Sequence, residues 1–99
     1  MLNIQHHDQN LELSFSPNPF CDKTQIKFET TSFAYVQIKI LNLEGKLVNT
    51  LTDENKTPGK YSINWDGKDF NGKEVPPGLY LVRLQAGNHV ATRSLILSK

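Results

Sequence analysis

The stretch from Trp65 to Tyr80, WDGKDFNGKEVPPGLY, limits what this chain can fold into more than any other part of the sequence. It holds two turn dipeptides, Asp66-Gly67 and Asn71-Gly72, whose residue types tolerate the positive φ angles that turns require. Large apolar residues occupy every second position before it, over 61–65, and again after it, over 80–84. Because this period of two is typical of a half-buried strand, the stretch predicts two strands joined by a double turn.

Other short alternating runs recur along most of the chain, separated by Pro, Gly, Asn and Asp. They predict about seven strands at spacings of about 8–12 residues, which is typical of an antiparallel β-sandwich. No apolar pattern with helical spacing is long enough to form a helix. The sequence therefore predicts an all-β domain over residues 11–99, a single Ig-like antiparallel β-sandwich, with residues 1–10 as a polar linker.

One side of each predicted strand supplies the expected core. The expected core residues are Leu13, Phe15, Ile26, Phe28, Val36, Ile38, Ile40, Leu51, Tyr61, Ile63, Trp65, Tyr80, Val82, Leu84, Leu95 and Leu97. If Trp65 and Tyr80 are buried, the indole N–H and the phenol O–H each need a hydrogen-bond partner. The run from Lys46 to Leu51 alternates less cleanly and predicts only a short strand, followed by a polar loop from Asp53 to Gly59.

The composition indicates a single globular domain without a nucleic-acid or membrane surface. Of the 99 residues, 37% are hydrophobic and 21% are charged, which fits a folded domain rather than a disordered segment. The formal net charge is +1 and both signs are interspersed, so neither nucleic acid nor an anionic membrane is an expected partner. No apolar run approaches the roughly 20 residues of a membrane helix. Residues 1–10 lack the basic and apolar regions of a signal peptide.

The double turn holds four oxygen-bearing side chains that could bind calcium: Asp66, Asp69, Asn71 and Glu74. Their spacing does not match the calcium loop of the EF-hand. Asp and Asn side chains in turns commonly accept hydrogen bonds from nearby backbone N–H groups. We therefore expect Asp66 and Asn71 to stabilise their own turns, and no metal site.

No arrangement of residues predicts catalysis or a cofactor. His6, His7 and His89 lack the spacing of a zinc site. Cys21 lies in a predicted turn, and only His89 could serve as its base, a pairing that composition alone supports. The glycine patterns of phosphate-binding loops are absent. We expect a protein that is not an enzyme and that holds no cofactor.

Three aromatic residues raise the alternative of a sugar-binding platform. Tyr35 faces away from the apolar side of its strand, and Phe70 lies at the tip of the double turn. Trp65 shares the inward register, so packing in the core is the stronger interpretation for it. Two exposed aromatic residues are ordinary for a domain of this size.

Several motifs occur in the order found in a known family: FSPNPF at 15–20, VQIKILNLEGKLV at 36–48, PGKY at 58–61, the double turn at 65–80, and RSLILSK at 93–99. Together they resemble the type A C-terminal sorting domain of the type IX (Por) secretion system, a β-sandwich. The double turn is also similar to the Ig-like domain of flagellar hook-capping proteins. The motif residues are Pro17, Asn18, Pro19, Gly45, Trp65, Asp66, Gly67, Asp69 and Gly72.

The resemblance implies a role in export rather than a reaction. Such domains end exported proteins of Bacteroidota, and the folded sandwich is recognised in the periplasm by the outer-membrane translocon. A sortase-like peptidase then removes the domain, and the cargo is released or attached to the cell surface. On this hypothesis residues 1–10 are the remnant of an upstream cargo protein. The domain would be periplasmic in transit, then secreted or at the cell surface.

The resemblance also implies that the last hairpin, from Gly78 to Lys99, is the recognised part. Its candidate recognition residues are Gly78, Tyr80, Arg93 and Lys99. An exposed final strand could add to a partner's sheet, or pair with a second copy as an edge-strand homodimer. Two alternatives stay open, a structural Ig-like spacer or adhesion module and a carbohydrate-binding module.

Overall fold

The computed structural model describes residues 12–98, and this part of the chain forms strands and turns without a helix. The strands are β1 (Glu12–Ser16), β2 (Thr24–Thr30), β3 (Ala34–Leu41), β4 (Leu47–Lys56), β5 (Gly59–Trp65), β6 (Gly78–Ala86) and β7 (His89–Leu97). Across residues 12–98 no helix is long and apolar enough to cross a membrane. The predicted linker, residues 1–10, lies outside the described residues.

The strands form two antiparallel sheets. One sheet has the order β1-β2-β5 and the other the order β4-β3-β6-β7. The apolar side chains of both sheets face each other, as expected when each strand alternates between a buried and a solvated face. This confirms the predicted all-β Ig-like sandwich. It also places β7 at an edge, paired with β6 over its whole length.

The strand directions give the sandwich two distinct ends. We call one of them the lower end: it holds the start of β1 and the turns at 31–33, 57–58 and 87–88. At the upper end, β7 finishes beside the segment 17–23, the turn at 42–46 and the double turn at 66–77. The nine residues of β7 span about 30 Å, so the two ends are well separated.

Most of the predicted core is buried. Four of the predicted core residues are only partly buried against the core: Phe15, Leu51, Tyr61 and Ile63. Three buried apolar residues were not predicted: Phe20, Val48 and Ala86.

Strand β4 is longer than predicted. It continues through the expected polar loop to Lys56, and only Thr57 and Pro58 separate it from β5. The pairing of β3 with β4 shifts register twice, between Ile38 and Lys39 and between Ile40 and Leu41. Each shift places an extra residue in β4, which interrupts the alternation. The strand therefore buries Val48 and Thr52, four positions apart, and its period-two signal is lost.

An aromatic cluster fills the core at the upper end. The ring of Trp65 lies 5.5 Å from that of Phe20 and 5.6 Å from that of Tyr80, between centroids. The Trp65 Nε1–H donates to the Lys68 carbonyl at 2.9 Å, and the Tyr80 hydroxyl donates to the Pro76 carbonyl. Both polar groups thus find the partners that burial requires. These bonds fix the double turn to the core beneath it.

Candidate functional site

The segment Pro17–Phe20 lies against the outer edge of β7. The Asn18 side-chain Oδ1 accepts a hydrogen bond from the Ile96 N–H at 3.0 Å. The Phe20 N–H donates to the Ile96 carbonyl at 3.0 Å, and the Ser98 N–H donates to the Phe20 carbonyl at 2.7 Å. The Ser16–Pro17 and Asn18–Pro19 peptide bonds are cis. The predicted motif residues Pro17, Asn18 and Pro19 therefore belong to a segment that caps the last part of the β7 edge.

The rest of the β7 edge is open. Because Ile96 directs its N–H and C=O away from β6, and these groups alternate along an antiparallel strand, those of Val90, Thr92 and Ser94 also point outward. Among residues 12–98, no strand pairs with them. A groove of about 490 Å³ separates this edge from β1, with Arg93 on its wall. The open edge can accept an added strand.

The structure describes three of the four predicted recognition residues and does not bring these three together. Gly78 is exposed at the start of β6, at the upper end, whereas Arg93 is exposed in the middle of β7. Tyr80 is buried, so its side chain belongs to the core. Lys99 lies outside the described residues.

Two five-residue turns at the upper end have the same hydrogen bonds. In the first turn, 42–46, the Asn42 Oδ1 accepts from the N–H groups of Glu44 and Lys46, each at 2.9 Å. In the second, 69–73, the Asp69 Oδ1 accepts from the N–H groups of residues 71 and 73, each at 2.9 Å. The backbone bonds between the first, fourth and fifth residues also match. We call them the twin turns.

The fourth residue of each twin turn is a glycine at positive φ. Gly45 has a φ of 85° and Gly72 a φ of 81°. A side chain at either position would meet no atom within 4 Å, so the requirement for glycine comes from the backbone. The two sequences, NLEGK and DFNGK, share this pattern, and aligning them would have revealed the turns from the sequence.

Two carboxylates of the double turn, those of Asp66 and Asp69, accept hydrogen bonds within the turns. Asp66 Oδ1 accepts from the Lys68 N–H at 3.2 Å, as predicted. The second turn is stabilised by Asp69 and not by Asn71, because the first residue of such a turn is the one that faces the following N–H groups. In the described part of the chain, no three His, Cys, Asp or Glu side chains are grouped so that they could hold a metal ion.

The twin turns flank an apolar groove of about 520 Å³. It is lined by Asn42, Leu43, Glu44, Leu47, Val48, Asp69, Phe70, Val75, Pro76 and Tyr80. Leu43 and Phe70, the second residues of the two turns, are each 63% exposed on its rim. The Phe70 N–H donates to the Val48 carbonyl at 3.0 Å, which holds the second turn beside β4.

The three aromatic residues considered for sugar binding do not form a platform. Trp65 is buried, Phe70 lies at the upper end, and Tyr35 lies near the lower end, at the start of β3. The Tyr35 hydroxyl and the Gln37 amide both donate to Asp53 Oδ1. These bonds, aided by the Lys39 charge and opposed by desolvation, lower the pKa of Asp53 below its ordinary value. The same bond raises the pKa of Tyr35.

Cys21 and His89, the conceivable nucleophile and base, are far apart. Cys21 is exposed as a free thiol near the upper end, and His89 begins β7 at the lower end. Their separation is about the length of β7, which no hydrogen bond can span.

A comparison of the sequence with models of protein families identifies the family of this chain. Residues 16–89 match the model of the FlgD Ig-like domain. The chain belongs to this family. The match covers the segment 17–20, both twin turns and all of β2 to β6, and of β7 it reaches only the first residue, His89. A comparison with curated protein sequences found no significant match.

Solved structures of two kinds share the fold of this FlgD Ig-like domain. PorU from Porphyromonas gingivalis superposes with a TM-score of 0.70 at 19% identity, over 88% of this chain and 9% of PorU. PorZ, a surface component of the type IX secretion system of the same bacterium, superposes with a TM-score of 0.63 at 16% identity, over 96% of this chain and 12% of PorZ. FlgD from Pseudomonas aeruginosa gives 0.59 at 26% identity, over 76% of this chain and 59% of that FlgD. The chain thus spans only part of each of these proteins.

Proposed function

We propose that this domain is a non-catalytic C-terminal secretion signal. It is recognised by the outer-membrane type IX translocon and directs the export of an upstream cargo protein. A sortase-like peptidase then cleaves it from the cargo, which is released or attached to the surface. The domain is periplasmic in transit, and afterwards secreted or at the cell surface. The fold shared with PorU and with PorZ, a component of that secretion system, supports this proposal.

The observation that carries the proposal is the open edge of β7. Within residues 12–98, Val90, Thr92 and Ser94 direct outward backbone groups with which no strand pairs, over the part of the edge that the segment 17–20 leaves uncovered. An extended segment of a partner can pair with such an edge, and its main-chain hydrogen bonds supply affinity. The Arg93 guanidinium beside it favours a partner strand that carries a carboxylate.

The arrangement of the two ends supports the same proposal. The described chain begins at Glu12, at the lower end, so an upstream cargo protein joins the sandwich there. The end of β7, the segment 17–20 and the twin turns lie at the opposite end, about 30 Å away. Bulky cargo therefore leaves this upper end, with the end of β7, accessible to a translocon.

An export assay tests this function. Residues 1–99 are fused behind a signal peptide and a fluorescent protein in a type IX-competent bacterium, and fluorescence is measured in the medium and the periplasm. We expect fluorescence in the medium that disappears in a translocon mutant. Periplasmic retention of the folded fusion protein would refute the proposal.

One substitution tests the open edge itself. Thr92→Pro removes the outward N–H, and an edge strand tolerates proline at such a position. Thr92→Val, which keeps the N–H, is the matched control. We expect Thr92→Pro to remain in the periplasm and Thr92→Val to be exported. Truncation after Leu95 is a weaker test, because it removes the buried Leu97 and the two residues bonded to the segment 17–20, Ile96 and Ser98.

A structural Ig-like module within a larger surface assembly is the second candidate. The family match over residues 16–89 and the 26% identity to P. aeruginosa FlgD favour it, since the identities to PorU and PorZ are lower. Folded protein that stays in the periplasm in the export assay would support this candidate.

A further inference from the structure

The upper end carries a concentration of exposed apolar side chains. Among the described residues, five of the eight exposed large hydrophobic residues lie there: Leu43, Leu47, Phe70, Leu79 and Ile96. We call these five the upper apolar surface. Two of them, Leu43 and Phe70, occupy the equivalent second position of the twin turns. The surface therefore follows from a repeated local structure and not from scattered residues.

The five residues form a connected surface across the outer face of the four-stranded sheet. Leu47 lines the groove between the twin turns and is also the cross-strand partner of Leu41. Leu41 in turn pairs with Leu81, and Leu79, two residues earlier on the same face, pairs with Ile96. Directly paired residues of an antiparallel sheet share a face and have neighbouring side chains. The apolar surface is thus continuous from the groove to the end of β7.

The size of this surface suits one side of a protein interface. At about 200 Å² for a fully exposed Leu, Ile or Phe, the exposed fractions come to roughly 500 Å², which is near the upper range for a monomer. Because interfaces are only about 57% apolar, a contact built around it would bury roughly 900 Å² per partner. A standard interface buries about 800 Å² per partner.

We infer that the upper apolar surface binds a second copy of this chain in a two-fold symmetric dimer. In such a dimer each residue contact occurs twice. With the axis between the twin turns, Leu43 of one copy packs beside Phe70 of the other, in both directions. The same arrangement brings Glu44 of one copy to Lys73 of the other, two exposed groups of opposite charge. A net charge of only +1 leaves little repulsion between copies.

This dimer is distinct from one formed by the open edge of β7. Pairing of two β7 strands would use the backbone of Val90, Thr92 and Ser94 and leave Leu43 and Phe70 in water. The two arrangements therefore respond to different substitutions. The inference does not depend on the proposed export function, since it concerns association of the isolated chain.

Sedimentation equilibrium of the 99-residue chain tests the inference, with Cys21 kept reduced. We expect reversible dimers with a dissociation constant in about the micromolar range, as interfaces of this size allow. Leu43→Lys and Phe70→Lys should each raise the dissociation constant by about 100-fold or more, because each substitution occurs twice in a two-fold symmetric interface. Phe33→Lys is the matched control, since Phe33 is 65% exposed at the lower end. It should leave the dissociation constant unchanged.

The controls separate the possible outcomes. Both turn positions are exposed, so the variants should keep the near-ultraviolet spectrum of Trp65 and remain folded. The inference is overturned if the chain stays monomeric up to about millimolar concentration, because this exceeds the dissociation constant expected for an interface of this size. It is also overturned if Thr92→Pro abolishes the dimer while Leu43→Lys and Phe70→Lys leave it intact, because association would then use β7.

Discussion

Phe20→Ala tests how the segment 17–20 is held against β7. The Phe20 side chain is 1% exposed and its ring lies 5.5 Å from that of Trp65, so truncation leaves a cavity in the upper core. Phe→Ala changes at such sites cost about 3–5 kcal/mol. A domain of this size is stable by about 5–15 kcal/mol, so the loss is a large share of the total. The melting temperature should fall by roughly 12–40 °C.

Urea denaturation measures this cost directly, and amide hydrogen exchange locates it. The Ser98 amide donates to Phe20, and the Ile96 amide donates to Asn18. Once the Phe20 anchor is lost, both amides should exchange faster than those in the middle of β3. Phe33→Ala, at an exposed position, is the control and should change stability by less than about 0.5 kcal/mol.

A second variant separates the anchor from the hydrogen bond. Asn18→Ala removes only the side-chain acceptor of the Ile96 amide and should cost about 1 kcal/mol. If Phe20→Ala costs less than about 1 kcal/mol, the aromatic ring does not hold the segment and the reasoning from cavity formation is wrong.

Three further predictions concern other parts of the domain. Tyr80→Phe removes the hydroxyl that donates to the Pro76 carbonyl and should lower the free energy of unfolding by about 1 kcal/mol; an unchanged urea midpoint would contradict this. Gly72→Ala places a side chain at a φ of 81° with no atom within 4 Å, so its cost of about 1–2 kcal/mol should be purely conformational, and Gly72→Asn should cost less. Because the pKa of Asp53 is lowered in the folded state, its carboxylate stabilises the domain above the ordinary carboxyl pKa, and this is lost as the pH falls through the folded pKa. In Tyr35→Phe the NMR titration of the Asp53 carboxyl carbon should have its midpoint at a higher pH than in the original chain. The same midpoint in both proteins would show that the Tyr35 hydroxyl does not stabilise the Asp53 carboxylate.

The alternating runs made most of the fold predictable from sequence. Strands such as β3 and β6 place an apolar residue at every second position, and in both of them these residues are buried. The last hairpin, expected from Gly78 to Lys99, is formed by β6 and β7. The alternation of apolar and polar residues within each strand is enough to predict that strand, so its distant contacts did not have to be known.

Other features depend on contacts between distant parts of the chain. Phe20 follows two prolines and reads as part of a turn, yet pairing with Leu97 across the sandwich buries it. The length of β4 depends on two register shifts against β3, which no period in the sequence reveals. The groove between the twin turns was missed for a different reason: the double turn was predicted, but its likeness to the turn at 42–46 and the proximity of the two were not.

The pairing of the segment 17–20 with β7 also determines how the domain responds to force. The chain enters at Glu12, at the lower end, and leaves at Ser98, at the upper end. The segment runs parallel to β7, so tension between these two points slides one past the other along their common axis. The bonds at Asn18, Phe20 and Ser98 then carry the load together instead of opening one after another. Tension applied between Glu12 and Ser98 would therefore load this shear clamp before the sheets begin to separate.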